Sequence, residues 1–155
     1  RWDDPSLAHE IGEHLDRDVR LVRAPMGIHD ILPIQIVTEA SIAQVADWVG
    51  HDPDRRRFRP SVVVETDAGV PFEETEWPGH RMTIGDDVMF DVVVATKQTR
   101  VVSYDPDTME RTHEIHQAIA QRRENLFGVY CRVVRGGWVQ VGDRVAVDPI
   151  PSPTA

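Results

Sequence analysis

The apolar positions along the chain change period several times, and each change predicts an element. Leu7, Ile11 and Leu15 stand four apart, a narrow helical stripe, and Asp4-Pro5 ahead of it reads as a cap followed by a first-turn proline. Val19 and Leu21 alternate with arginines, which predicts a strand with one buried face. Pro25 and Gly27 mark a loop, and Ile31 to Val37 is apolar enough for a core strand despite Pro33. Ile42, Val45, Ala46 and Val49 then follow at helical spacing, with Thr38-Glu39-Ala40-Ser41 as N-terminus and Gly50 as the stop. Two caps are open here: Ser41 with Gln44 as a capping box, or Thr38. Val62, Val63 and Val64 predict a buried strand.

Pro71 to Gly79 is turn-rich and acidic, and Glu73, Glu74 and Glu76 read most simply as solvated. Arg81 to Ile84 and Val88 to Ala95 are strands joined by the tight turn Gly85-Asp86-Asp87. Thr99 to Tyr104 is a further short strand, broken by Asp105-Pro106-Asp107-Thr108. A helix is expected from Thr112 to Arg123 and a strand from Leu126 to Val134. Gly136-Gly137 and Gly142-Asp143 then turn the chain into strands at Trp138 to Val141 and Val145 to Val147. Val62, Val64, Val92, Val94, Val129 and Val133 are expected to be mostly buried. Many short strands with few helices predict a mainly β fold of the α+β class. A closed or nearly closed barrel would remove its edge strands. The expected layout is one domain over residues 1–148 and a Pro-rich tail over 149–155.

The 155 residues carry a formal net charge of -9, which argues against general nucleic-acid binding, since that needs a broad basic face. No apolar run approaches the ~20 residues of a membrane span, and no signal peptide is visible. A single cysteine, Cys131, excludes an internal disulfide framework and fits a reducing cytosol. Because the chain begins with Arg1, a trimmed piece of a longer protein is expected.

Against that negative charge, Arg55, Arg56, Arg57 and Arg59 fall within five residues. Guanidinium forks bind phosphate or carboxylate bidentately, so the cluster suits an anion. Pro60 is expected to hold Arg59 extended, mounting the cluster on the start of the Val62 strand. The competing reading is a solvated loop pairing with Asp52 and Asp54. Thr38, Ser41 and the free N–H groups of their helical turn form a second anion candidate, against plain capping. His9-Glu10 with His14, and His113-Glu114 with His116, miss the zinc-protease spacing by one position and read as exposed helix residues. Cys131, with Val129 and Val133 on its own face, reads as a buried, inert thiol.

Three ordered blocks are more specific: Arg57-Phe58-Arg59-Pro60-Ser61-Val62-Val63-Val64-Glu65; Thr99-Arg100-Val101 with Asp105-Pro106-Asp107-Thr108; and Phe127-Gly128-Val129-Tyr130 with Gly137, Gly142-Asp143 and Val145. Pro71-Phe72, Trp77, Gly79 and Ile84-Gly85 link them. In this order and spacing they resemble the MOSC domain, named for the molybdenum cofactor sulfurase C-terminus, over about Asp30 to Val147. The resemblance implies a MOSC-type β-barrel and a molybdopterin-type cofactor. By that match Thr38, Ser41, Arg59 and Ser61 would line the site, with Arg57, Thr99, Arg100 and Tyr130 also as cofactor-binding candidates. Redox-active relatives, which reduce N-hydroxylated compounds such as amidoximes, read Thr-Arg-Cys, and that cysteine ligates molybdenum. Here Val101 occupies the position and offers no lone pair, so no metal ligand is assigned. Ser61 stands where Asn is usual. Longer members carry an upstream β-rich segment that this chain is expected to lack in whole or in most part.

The preferred expectation is a cytosolic MOSC-type domain that binds an anionic cofactor or small substrate, without standard cysteine-ligated molybdenum chemistry. The runner-up is an active molybdenum-cofactor-dependent oxidoreductase served by an electron-donor protein; sulfur transfer through Cys131 is another enzymatic possibility. A third is a non-catalytic module that uses its acidic surface to bind a protein. Neither nucleic acid nor membrane is an expected partner.

Overall fold

The computed structural model describes residues 5–21 and 31–150. Three helices, α1 (Pro5–Leu15), α2 (Glu39–Val49) and α3 (Glu114–Arg123), accompany six strands: β1 (Ile34–Thr38), β2 (Val62–Val64), β3 (His80–Ile84), β4 (Val88–Lys97), β5 (Leu126–Arg135) and β6 (Val145–Pro149). The strands form one sheet in the order β2-β1-β5-β4-β3-β6, curved into a half-barrel. The protein is thus mainly β within the α+β class. Only β1 and β2 are parallel, because the chain between them crosses over through α2; the other pairings are antiparallel. The sheet's edges are protected locally: β2 is three residues long, and Pro149 ends β6.

Two clusters of buried side chains share the sheet. Ile36, Val64, Met82, Ile84, Val88, Phe90, Val92, Val129 and Cys131 fill the half-barrel. Val37, Ile42, Val45, Phe58, Phe72, Val102, Ile115, Ile119 and Phe127 pack between the sheet and helices α2 and α3. Strand β1 serves both, since adjacent residues point to opposite faces, and Gln35 through Thr38 are all buried. On β5, Phe127 and Val129 stand two apart yet belong to different clusters. Gly128 between them explains this. It has φ +79°, and the register from Ala95↔Val129 to Lys97↔Leu126 spends three steps on β5 against two on β4. That is a bulge. A Cβ on Gly128 would lie 2.7 Å from Val37 Cγ1 and 2.8 Å from the Ile36 carbonyl, so only glycine fits unshifted.

Several expectations are corrected. Residues 18–21 are irregular, not strand, as are Trp138 to Val141, where Trp138 is 95% exposed. Thr99 to Tyr104 is not a strand either: Arg100–Ser103 is a 3₁₀ turn capped by the Thr99 hydroxyl, which accepts from the Val101 N–H. Val64, Val92 and Val129 are buried and Val62 half-buried, but Val94 and Val133 are exposed. For Val94 the cause is a register irregularity between Val92 and Val94, which breaks the alternation. Pro149 pairs with His80 and so lies in the sheet rather than in a tail. The expected cap at Asp4, the loop at Pro25 and Gly27, and the tail prolines Pro151 and Pro153 lie outside the described residues. No helix among the described residues is long and apolar enough to cross a membrane.

Candidate functional site

The arginine cluster forms a 3₁₀ turn, Arg55–Phe58, rather than an extended lead into β2. Asp54 starts it by accepting from the Arg56 N–H, and Arg59 ends it in the left-handed region (φ 54°, ψ 41°), its N–H donating to the Arg56 carbonyl. That closing bond overrides the extended preference Pro60 would impose. A left-handed non-glycine residue costs on the order of 1–3 kcal/mol, a strain found mainly where the surroundings impose it. Phe58 anchors the turn: it is 1% exposed and stacks on Phe127 with ring centroids 4.3 Å apart. Ser61 ties the far end to β1, its N–H donating to the Gln35 carbonyl at 2.8 Å and its hydroxyl accepting from the Gln35 N–H at 3.2 Å.

The four arginines divide their roles. Arg55 pairs with Glu39, and Arg56 with Asp54 and Asp107. Arg57, with a side chain only 10% exposed, pairs with Asp105. The pairing expected with Asp54 is therefore present. Asp52 instead accepts from the Asp54 N–H. Arg59 has no ion pair among the described residues.

Beside this turn lies a cleft of about 70 Å³, lined by Gln35, Arg57, Phe58, Arg59, Thr96, Lys97, Gln98, Thr99, Val101 and Tyr130. The lining includes three cations and no carboxylate. Arg57 Nη1, Gln35 Nε2 and Thr96 Oγ1, which belong to lining residues, are buried and have no hydrogen-bond partner. Leaving such a group unpaired costs about 1–3 kcal/mol. All three belong to residues of one small cleft and come from three different segments.

Of the sequence-derived candidates, Arg57, Arg59, Thr99 and Tyr130 line the cleft, together with Val101. Arg100 is exposed and is not among the lining residues. Neither are Thr38 and Ser41, which are 0% exposed. Thr38 does cap α2, with its hydroxyl accepting from the Ser41 N–H. Both hydroxyls then donate to one oxygen of Glu74, at 2.9 and 2.8 Å, and the Phe72 N–H donates to the Ser41 hydroxyl. Glu74 itself is 0% exposed, correcting the expectation that the carboxylates of this segment are solvated. The helix N-terminal turn is therefore already occupied, by the side chain of the chain's own Glu74.

Gln35, Thr96, Lys97 and Gln98 escaped the sequence reading. Gln35 carried a usable signal, as the one polar residue in the apolar run Ile34 to Val37. Cys131 is buried inside the half-barrel, and burial pushes its thiol up to about 12, which leaves no thiolate at neutral pH.

A family model described as MOSC domain matches residues 27–146. None of the curated proteins matches. Among solved structures, the crystal structure of the YuaD protein from Bacillus subtilis is similar, with a TM-score of 0.60 and 18% identity over 76% of this chain. At that identity the likeness is one of fold. The chain spans 64% of the length of that structure.

Proposed function

Since the chain belongs to the MOSC domain family, we propose that it binds an anionic cofactor or small anionic substrate in the cleft beside the arginine turn. The observation that carries this reading is the set of three buried polar atoms without partners, Arg57 Nη1, Gln35 Nε2 and Thr96 Oγ1, on residues lining one cleft. Arg59 and Lys97 add charge there, and neither has an ion pair among the described residues. The volume narrows the ligand. About 70 Å³ is small beside the roughly 300–1,000 Å³ that enclose drug-sized molecules. It suits an oxyanion, or the phosphate end of a larger molecule whose remainder lies outside. The same reading sets the protein in a reducing cytosol, in keeping with its single buried thiol.

A molybdopterin-type cofactor fits this cleft at its phosphate end, where Arg57, Arg59, Gln35 and Thr96 would hold it. When bound, such a cofactor supplies the dithiolene sulfurs that carry molybdenum. The donor set does not extend to the metal. Val101 lines the cleft with an aliphatic side chain, and no cluster of three His, Cys, Asp or Glu among the described residues is placed to hold an ion.

The test is calorimetric titration of the full chain with inorganic phosphate and with a pterin phosphate. A lost hydrogen bond to a charged group costs about 1.5–3 kcal/mol, so Arg57→Ala and Arg59→Ala should each weaken binding roughly tenfold to a hundredfold. Parent-like affinity in both would remove the arginine turn from the site. Stoichiometric capture of a protein with no small anion bound would instead favour an interaction module.

The MOSC family match leaves room for a second reading, against which Val101 counts: an oxidoreductase holding molybdenum through the pterin with a ligand other than cysteine, supplied with electrons by a donor protein. Val101→Cys places a thiol beside the cleft. It should leave phosphate affinity within about twofold and raise molybdenum retention in protein purified from a cofactor-producing host. Full, stable molybdenum occupancy in the parent would show that the absent cysteine is no obstacle and would promote this reading to the first.

A further inference from the structure

Arg57 divides its guanidinium between two surroundings. Nη2 donates to Asp105 Oδ2 at 2.8 Å, while Nη1 is buried without a partner on a residue that lines the cleft. Asp105 is firmly held in turn. Its Oδ1 accepts from the Asp107 N–H at 3.0 Å and the Thr108 N–H at 2.9 Å, and its own N–H donates to the Glu110 carbonyl at 2.8 Å. Those two backbone N–H groups, with a smaller contribution from Arg57, hold its carboxyl below the usual range. One step further out, Arg56 grips Asp107 through both forks, at 2.9 and 2.6 Å. The 105–108 turn and the arginine turn are thus stapled by two neighbouring pairs, but only the inner pair involves a cleft residue.

We propose that Asp105 is the positioning residue of the anion site: it takes one arm of Arg57 and thereby fixes the direction in which the other arm meets the ligand. The proposal rests on the anion-binding reading of the cleft. Guanidinium suits this division because its donors are rigidly coplanar, so fixing one arm fixes the other. The sign of one measurement separates positioning from mere charge. A carboxylate that only sits near an anion site repels the anion, so neutralising it strengthens binding. A positioning carboxylate gives the opposite result.

Inorganic phosphate is titrated into the full chain as parent, Asp105→Asn, Asp107→Asn, Arg57→Ala and the Asp105→Asn/Arg57→Ala double variant, with unfolding midpoints recorded beside each. Asp105→Asn keeps an oxygen for the Asp107 and Thr108 N–H groups but turns an N–H toward Arg57 in place of an acceptor. Its affinity should fall about tenfold, the scale on which losing an orienting partner weakens a ligand site. Asp107→Asn should change affinity by less than about twofold, and Asp105→Asn should cost nothing further once Arg57 is gone. If Asp105→Asn does not fold, Arg57→Lys carries the test. An ammonium keeps the charge but lacks two fixed arms, so affinity should again fall about tenfold. Parent-like affinity in Arg57→Ala would overturn the anion reading itself. With Arg57→Ala weakened, unchanged or tighter binding in Asp105→Asn overturns the positioning role alone, as does parent-like binding in Arg57→Lys where that variant stands in. So does an Asp105→Asn loss that persists undiminished without Arg57.

Discussion

Arginine meets aspartate in two regions of this molecule, and the arrangements are inverses of each other. On the sheet, Asp91 of β4 sits between Arg81 of β3 and Arg132 of β5, directly opposite both in register. Arg81 donates Nε and Nη2 to Oδ1 at 2.9 and 2.8 Å, and Arg132 donates Nη2 to Oδ2 at 2.6 Å. The carboxylate is central, 8% exposed, and both of its oxygens are taken. At the cleft the guanidinium of Arg57 is central, similarly buried, and one of its nitrogens is left over. A buried charge whose hydrogen-bonding capacity is filled from within ties strands together. One with a donor to spare, on a residue that lines a cleft, is what the anion-binding proposal rests on. Glu74 is intermediate: one oxygen takes the hydroxyls of Thr38 and Ser41, while Oε1 is buried without a partner.

The substitution with the largest expected effect breaks the contrast. Phe58→Ala removes the aromatic anchor under the arginine turn and should cost about 3–5 kcal/mol of stability by denaturant unfolding. It should also abolish phosphate binding. Retained affinity at parental strength would mean that the cleft does not depend on that packing. Asp91→Ala sharpens the contrast: it strands two arginines that solvent partly reaches, costing about 1–3 kcal/mol, with phosphate affinity unchanged. A loss of affinity there would tie the two regions together. The effect should also depend on pH. Arg132 first and Arg81 second hold the Asp91 carboxyl below its usual range. A depressed native value adds stability that is present above the unfolded value near pH 4 and lost as pH falls through the folded one. The gap between parent and Asp91→Ala should therefore be level from pH 7 to 5 and close at lower pH. A gap that widens in acid would contradict the pairing.

The smallest effect belongs to His51, in neither region. Its Nδ1 lies 2.9 Å from the Asp52 carbonyl and its Nε2 3.0 Å from Glu114. The Asp52 carbonyl first, and Glu114 second, raise its value above the usual one. The sign is opposite to that of Asp91: the contribution is fully present below the unfolded value near 6.5 and disappears as pH rises through the folded one. Both side chains are about half exposed, so His51→Gln should cost only a few tenths of a kcal/mol at pH 6 and nothing at pH 9. A cost that grows with pH would rule this contact out.

Local patterning made much of the fold legible. The alternation or apolar density of β1 through β5, the helical spacing of Ile42, Val45 and Val49, and the Gly50 stop all reflect forces acting within a few residues. The resemblance carried by the ordered blocks reached the family itself. The failures have different causes. Thr99 to Tyr104 looked like a strand because Val101 and Val102 favour one, yet the Thr99 hydroxyl captured the Val101 N–H and closed a turn. Trp138 to Val141 was apolar enough for a strand, but burial is what an apolar side chain needs, and Trp138 finds none. Glu74 read as solvated because nothing nearby in sequence shows the two hydroxyls 36 and 33 residues upstream that receive it.

The sequence by itself determined most of the elements, the family and a dense arginine cluster, because periodicity, turn chemistry and charge density are local quantities. Only the tertiary structure decided which arginine is available. Arg55, Arg56, Arg57 and Arg59 are chemically equal along the chain, and they differ because Glu39 reaches Arg55, Asp107 and the neighbouring Asp54 reach Arg56, and Asp105 reaches Arg57. Whether a guanidinium is neutralised, shared or free depends on contacts a few ångströms long between residues up to 51 positions apart, and those distances exist only once the chain has folded.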